Sequence, residues 1–363
     1  MIRVKTAIVS DLHLGTVTDA DLARGGEARE RLLAAVDGAD RVVMLGDTLE
    51  LRELPFSEML ERARPFFEAL GEVTAGRRVV LVPGNHDHQL AEPWLTAMQL
   101  NGEELGPANE WAAAAGDPGA AGRVAALMPR TELTVAYPGL MLRDDVYAAH
   151  GHYLDLLLTV PRPEGLTAGV MGRVTGRGRK GGPATEYEAV LGPMYAFYAR
   201  LAESANSRGV RHGSSLSRNV WQRLNGQRGG PLGRVLLGRV AIPGGVALLN
   251  RLGLGPLGPD VSAVELRRAG LRAMGEVVEG LGIAADHVVF GHTHRPGPLD
   301  GDDVTEWRTP SGARLWNTGS WLHEPVFLAN GNSPYWPGSV ISLEDEGDPA
   351  IENALPASAV PAG

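Results

Sequence analysis

Five short segments hold the residues able to do chemistry: Asp11-Leu12-His13, Gly46-Asp47, Gly84-Asn85-His86-Asp87, His150-Gly151-His152 and Gly291-His292-Thr293-His294. Aspartate, asparagine and histidine are hard-to-borderline oxygen and nitrogen donors, suited to Mn, Fe, Zn or Mg rather than to soft copper. Each residue alone has a plainer account. A lone histidine near a sheet is more often structural than a ligand, Asp11 could cap a turn, and Asp47 or Asn85 could serve the bend beside its glycine. The same pattern five times over points instead to a hydrolytic site built on two divalent cations.

What must position these residues is a set of strands. Ile8-Val9, Val42–Leu45, Val79–Val82, Val146–Ala149 and Asp286–Phe290 are short apolar runs, each emptying into one of the five segments. Ligands of open α/β sheets bind beyond the carboxyl ends of such strands, so five strand ends are expected to meet at one sheet edge. A helical stretch at Ser57–Leu70 fits βαβ alternation over residues 1–100. Residues 101–130 read as an insertion, and Glu132–Pro138 with Leu140–Arg143 as paired strands. Further on, Ala184–Asn206 (kinked at Pro193) and Ser215–Arg228 read as amphipathic helices. Between Arg173 and Gly182 lies a basic, glycine-rich loop. Ser262-x-x-Glu265 has capping-box spacing and opens a helix to about Leu281. Trp307–Gly319 adds strands and a turn, and the tail from about Glu346 reads as disordered.

The bulk numbers admit one large domain or two smaller ones and exclude little else. The 363 residues are 44% hydrophobic and 21% charged, ordinary for a globular protein. There is no cysteine, so no thiolate can hold a metal and no disulfide can form. Met1 leads straight into the first strand, which leaves no room for a signal peptide and suggests a cytoplasmic protein. No apolar run is long enough to span a membrane. The net charge of −9 is unevenly spread: Asp155 to Pro256 contains 14 basic and five acidic residues, net +9, so the remainder carries −18.

The series Asp11-x-His13, Gly46-Asp47, Gly84-Asn85-His86-Asp87, His150 and Gly291-His292-x-His294 resembles the calcineurin-like metallophosphoesterases, with all five blocks in that family's order. The resemblance implies an α/β four-layer αββα sandwich, two mixed β-sheets flanked by helices, with a large helical insertion. The core would be residues 1–155 and 283–345, the basic insertion 156–282, and the tail 346–363. It also implies that Asp11, His13 and His294 hold one metal, that Asn85, His150 and His292 hold the other, and that Asp47 bridges them. The cofactors would be two divalent ions, Mn²⁺ foremost, with Fe, Zn or Mg as alternatives. A hydroxide between the metals would attack phosphorus in line. His86 is read as contacting the phosphoryl oxygen or protonating the leaving group, with Asp87 orienting its other nitrogen. His152 is assigned to substrate, with a supporting or a surface place as alternatives. Glu50 resembles a variant of the second block; a carboxylate at a helix N-terminus accounts for it equally well.

Asp11-Leu-His-Leu-Gly15 with Gly46-Asp-x-x-Glu50 is similar to the branch containing UDP-2,3-diacylglucosamine hydrolases, which carry a helical lid in the same interval. The third block departs from that branch, with His86 where it usually has Arg. The expected activity is hydrolysis of a phosphodiester or pyrophosphate bond in a phosphorylated small-molecule or lipid-linked substrate, nucleotide-linked ones included. A basic, partly apolar insertion suits peripheral contact with an anionic membrane. Nucleic acid fits poorly, because the rest of the chain is acidic and aromatic interleaving is absent. The alternatives are a phosphomonoesterase or protein phosphatase, and a non-catalytic scaffold on the same fold.

Overall fold

The structure is a computed structural model and describes residues 5–160, 163–176, 181–205, 250–251, 257–258, 260, 262–328 and 333–360. Among them, β1 (Thr6–Val9), β2 (Arg41–Met44), β3 (Arg78–Leu81) and β5 (Glu132–Tyr137) form a parallel series. The sheet is extended on one side by β10 (Ser339–Leu343) and β11 (Ala350–Asn353) and on the other by β4 (Asn109–Ala112). A second sheet runs β6 (Gly139–Arg143), β7 (Val146–Ala149), β8 (His287–Phe290), β9 (Arg314–Asn317).

The strand sequences explain why two sheets stack between helices. Successive side chains of a strand point to opposite faces, and here both faces are apolar. Ile8, Val43, Leu45, Val80 and Val82 meet Leu140, Val146, Ala148 and Val289 in one apolar layer between the sheets. Their neighbours Ala7, Val9, Val42, Met44, Val79 and Leu81 face the other way and belong to the larger cluster. That cluster includes Leu32 and Val36 of α1 (Gly26–Val36) and Phe66, Phe67 and Leu70 of α2 (Phe56–Val73). Tyr147, Val288, Phe290 and Leu315 of the second sheet join it with Met274, Val277 and Val278 of the long helix Ala263–Gly280. The result is the αββα sandwich the motifs implied. Among the described residues the helices between α2 and that long helix are α3 (Glu92–Asn101), α4 (Ala120–Ala125), α5 (Pro163–Val174) and α6 (Ala184–Ala205), so the long helix is α7, and a short α8 (Pro325–Leu328) follows it.

Several local readings hold and others are corrected. Ser262 caps α7, its side chain accepting from the Glu265 N–H at 3.3 Å. Helix α6 contains Pro193. The proposed helix Ser215–Arg228 and most of the basic residues of the insertion lie outside the described residues. Glu132–Pro138 and Leu140–Arg143 do not pair: β5 bonds to β3 and β4, while β6 bonds to β7 in the other sheet. Adjacent strands read as a hairpin, but the second apolar layer gave β6 a better face to cover. The 101–130 interval contributes an edge strand, β4, as well as the short α4. Residues 350–353 of the expected disordered tail form β11, antiparallel to β10, and Leu355 and Val360 are buried. Edge pairing satisfies backbone groups whatever the side chains, so a short polar strand leaves no periodic trace. No helix among the described residues is long and apolar enough to cross a membrane.

Candidate metal centre

The five strand ends do converge, but from two sheets rather than along one edge. β1, β2 and β3 deliver Asp11, His13, Asp47 and Asn85; β7 and β8 of the facing sheet deliver His150, His292 and His294. The turns that aim them are strained. Asp11, His13, Asp47, His292 and His294 all have positive φ, between 45° and 65°. For a residue with a side chain this costs about 1 kcal/mol or more each, and such outliers gather where geometry serves function. Two glycines keep the space clear. A Cβ on Gly84 would lie 2.3 Å from Asp47 Oδ1 and 2.5 Å from His150 Cδ2, and one on Gly291 would lie 2.5 Å from Asp11 Oδ2.

The donors fall into groups. Asp11, His13 and His294 each bring one ligand atom within 4.8 Å of the others, and so do Asp47, His150 and His292. His13, Glu50 and His86 make a third such group. Asp47 stands between the first two, its Oδ2 being 3.1 Å from His150 Nε2 and 3.8 Å from His13 Nε2.

Three imidazoles are held by their outer nitrogens. His13 Nδ1 lies 2.9 Å from Glu50 Oε2, His150 Nδ1 2.9 Å from the Leu45 carbonyl, and His292 Nε2 3.0 Å from Asp155 Oδ1. Each outer N–H donates to an oxygen, so each inner nitrogen turns its lone pair into the site. This is how metal-ligating histidines are fixed. Asn85 adds a second sign. Its side-chain oxygen faces Asp47 Oδ2 at 3.1 Å and His292 Nδ1 at 3.2 Å, all acceptors. A cation among them resolves the conflict; without one, the amide would turn over and bond to Arg52. Asp11 Oδ1 and His13 Nε2 are likewise buried with no hydrogen-bond partner. The residues fit a pair of divalent cations.

The electrostatics agree. Burial opposes charge on His13, but the Glu50 hydrogen bond and the fields of Asp47, Glu50 and Asp11 outweigh it and lift its pKa to about 10. His150 rises to about 9 against the same burial, through Asp47 and Asp11. Asp47 moves oppositely: burial would raise it, yet His150, His86 and His13 hold it well below the usual carboxylate range. The site attracts positive charge strongly enough to overcome desolvation.

Two sequence assignments need correction. Asp87 does not orient His86. Its Oδ1 accepts from the Asp47 and Gly84 N–H groups (3.2 and 2.7 Å) and its Oδ2 from those of Thr48 and Leu49 (2.8 and 3.2 Å). With both oxygens committed to backbone, Asp87 ties the second metal-facing loop to the third. The partner of His86 is Glu50, whose two oxygens lie 2.8 Å from Nδ1. Glu50 is therefore no helix cap; α2 starts six residues later. His152 is 1% exposed, with Nε2 3.1 Å from the Tyr137 hydroxyl and its ring packed on Tyr137, Tyr153 and Tyr195. It supports the wall behind His150 and is not placed to touch substrate. Burial, together with the neighbouring imidazoles, holds its pKa well below the ordinary value.

The sequence reading passed over Asp155, Arg52 and the helix α6 side chains Glu188, Tyr195 and Tyr198. Asp155 follows His150 in a 3-10 turn, and nothing in its spacing marks it. Glu50 did carry a signal, its fixed interval after Asp47.

A fold of two stacked sheets with paired metal-facing clusters at their strand ends defines a class, the dinuclear metallophosphoesterases. Residues 4–169 match the family model described as calcineurin-like phosphoesterase, and the Gly291–His294 block, outside that span, is brought to the same site by the fold. The matched span is a little under half of the chain; together with the two donor clusters it supports a metallophosphoesterase-fold enzyme with metal-dependent phosphoesterase activity. Among solved structures it is similar to a cold-active protein-tyrosine phosphatase of the psychrophile Shewanella sp., at 13% identity over 93% of this chain and 75% of that one, TM-score 0.29. It is also similar to a dimetal phosphatase from Danio rerio, at 12% identity over 97% and 99% of the two chains, TM-score 0.31. Among curated proteins none matches significantly.

Proposed function

We propose that the chain hydrolyses a phosphodiester or pyrophosphate bond in a nucleotide- or lipid-linked substrate. Asp11, His13, Asp47 and His294 would hold one cation and Asn85, His150 and His292 the other, with Asp47 shared. Two such cations, with Mn²⁺ the first choice, activate water as a nucleophile and neutralise charge on the phosphoryl oxygens. The observation that supports this reading best is the anchoring of His13, His150 and His292 by their outer nitrogens, which leaves three lone pairs facing one space.

The chain's own groups do the rest. Glu50 fixes the rings of both His13 and His86, which lie edge to face with centroids 4.6 Å apart. It thereby couples a ligand to the imidazole at the mouth, whose side chain is 21% exposed. His86 Nε2 is then the atom that contacts a phosphoryl oxygen or hands a proton to the leaving group. Asp87 holds the loops of both blocks in register. The insertion supports a larger substrate through α6, which packs directly against the site; the resemblance to the UDP-2,3-diacylglucosamine hydrolase branch suggests a lipid- or UDP-linked one. Cytoplasmic residence with peripheral membrane contact belongs to the same reading.

The test is a turnover panel on metal-stripped protein refilled with Mn²⁺, pairing bis-p-nitrophenyl phosphate with p-nitrophenyl phosphate, UDP-sugars and anionic phospholipids. Turnover of the diester or a diphosphate above the monoester, abolished in Asp47→Ala, is expected. Preference for the monoester, or full activity in Asp47→Ala, would overturn the reading. Co-sedimentation of the full chain with anionic vesicles tests the membrane contact separately.

A further inference from the structure

Around a site rich in carboxylates, the Arg52 guanidinium makes no ion pair among the described residues. Arg52 lies two residues beyond Glu50, and its backbone N–H donates to Glu50 Oε1 at 3.2 Å. Its Nε donates to the backbone carbonyl of Asn85 at 3.1 Å, and its Nη1 lies 3.4 Å from His86 Nε2. Both outer nitrogens also lie near the Asn85 side-chain nitrogen, at 2.9 and 3.3 Å, donor against donor while the amide oxygen faces Asp47 and His292. Among the described residues, no ion pair neutralises this guanidinium, although Asp47, Glu50 and Asp155 all lie in the surrounding site.

Two tyrosines of α6 flank it. Its guanidinium carbon is 5.0 Å from the centroid of the Tyr198 ring and 5.7 Å from that of Tyr195. The helix itself is pinned at both ends. Glu188 accepts from the Tyr137 hydroxyl, from the Tyr153 hydroxyl at 2.8 Å and from His88 Nε2 at 3.1 Å. Near the other end, Glu203 accepts from the Phe56 N–H at 2.7 Å. A carboxylate would hold an arginine by neutralising it. Aromatic faces hold it while leaving its charge available. The outer N–H groups therefore stay beside His86 and Asn85, at the mouth, with the fork geometry that suits oxyanions.

We propose that Arg52 receives the phosphoryl oxygens of the substrate, and that Tyr195 and Tyr198 are positioning residues through which the inserted helix takes part in anion recognition. The identity of the anion rests on the phosphoesterase reading above; the clamp does not. A substrate must then present its phosphoryl group between the metal-facing donors and α6, which makes that helix part of the selectivity for what the phosphate is attached to.

The experiment titrates inorganic phosphate calorimetrically into the full-length protein with and without Mn²⁺, for the wild type, Arg52→Ala, Arg52→Lys, Tyr198→Leu, Tyr198→Phe and the Arg52→Ala/Tyr198→Leu pair. Arg52→Ala is expected to weaken phosphate binding at least 10-fold, and Arg52→Lys to fall between it and the wild type. Tyr198→Leu should lose about 3- to 10-fold and Tyr198→Phe less than 2-fold, because the ring face and not the hydroxyl does the holding. Bound Mn²⁺ and the thermal midpoint should stay constant across the Arg52 variants. In the Arg52→Ala background the Tyr198 substitution should have no further effect. Unchanged phosphate affinity in Arg52→Ala, or a wild type that binds no phosphate, overturns the anion role. An equal further loss in the double variant overturns the clamp, even if the single tyrosine variant is less stable. A protein that binds Mn²⁺ and binds phosphate through Arg52 but hydrolyses nothing would sink the catalytic reading and leave this one standing.

Discussion

Replacing Glu50 by glutamine probes the arrangement at its most connected point. The carboxylate accepts from His13 Nδ1 at 2.9 Å and from His86 Nδ1 at 2.8 Å, and it is buried. Both of those bonds go to one oxygen, Oε2. A glutamine with its carbonyl there keeps both as weaker, uncharged bonds; with its amide there, the rings must accept instead, which moves the His13 proton to Nε2. In that second arrangement the His13 lone pair no longer faces Asp11 and Asp47, and the first cation loses a donor. The exchange removes about one charge-assisted hydrogen bond, roughly 1.5–3 kcal/mol. That corresponds to about a 10- to 100-fold loss in Mn²⁺ affinity, the range seen when the outer partner of a ligating histidine is removed. Calorimetric titration of Mn²⁺ into metal-stripped protein at pH 7.5 measures it. Glu53→Gln is the control, because this nearby carboxylate accepts from the Thr16 hydroxyl at 2.7 Å and the Val17 N–H at 2.8 Å and touches no histidine. Mn²⁺ affinity within 2-fold of the wild type at both sites in a folded Glu50→Gln protein would refute the reasoning.

Gly84→Ala should yield a folded protein about 1–3 kcal/mol less stable and largely stripped of its second cation, since the new methyl group must displace Asp47 or His150; urea unfolding and metal analysis check the two parts. Glu188→Ala leaves two buried phenols and His88 without their acceptor, and a loss of about 3 kcal/mol is expected in the same unfolding assay. Asp21 gives a pH dependence. Burial raises its pKa to about 6, its Oδ1 has no partner, and Oδ2 accepts from the Gly15 N–H at 2.8 Å. Because the folded value lies above the ordinary 3.8, the native state holds the proton longer. Stability from this group is full below about pH 4, falls as pH rises to about 6, and is flat beyond. Asp21→Asn should therefore gain on the wild type by up to about 3 kcal/mol between pH 4 and pH 7; an equal difference at both pH values would count against it.

The sequence by itself determined which donors gather at the site, because each follows a short apolar strand and must emerge where that strand ends. Strand and donor sit within a few residues of each other, so their relation is written locally. The same locality made the capped start of α7 legible in Ser262 and Glu265. What the sequence left open depends on contacts between distant segments. That Glu50 and not Asp87 pairs with His86 follows from how the second and third loops pack, 36 residues apart. That β5 and β6 part into different sheets follows from which apolar face each could cover, a choice made by Val80, Val146 and Val289 together. The placement of Asp155 behind His292, 137 residues away, and of Tyr195 and Tyr198 over Arg52 has no signature along the chain. Those partners meet only because two sheets close on each other and a pinned helix crosses their mouth. The donors were local facts; their orientation, tautomers and guard of aromatic rings were settled by tertiary packing.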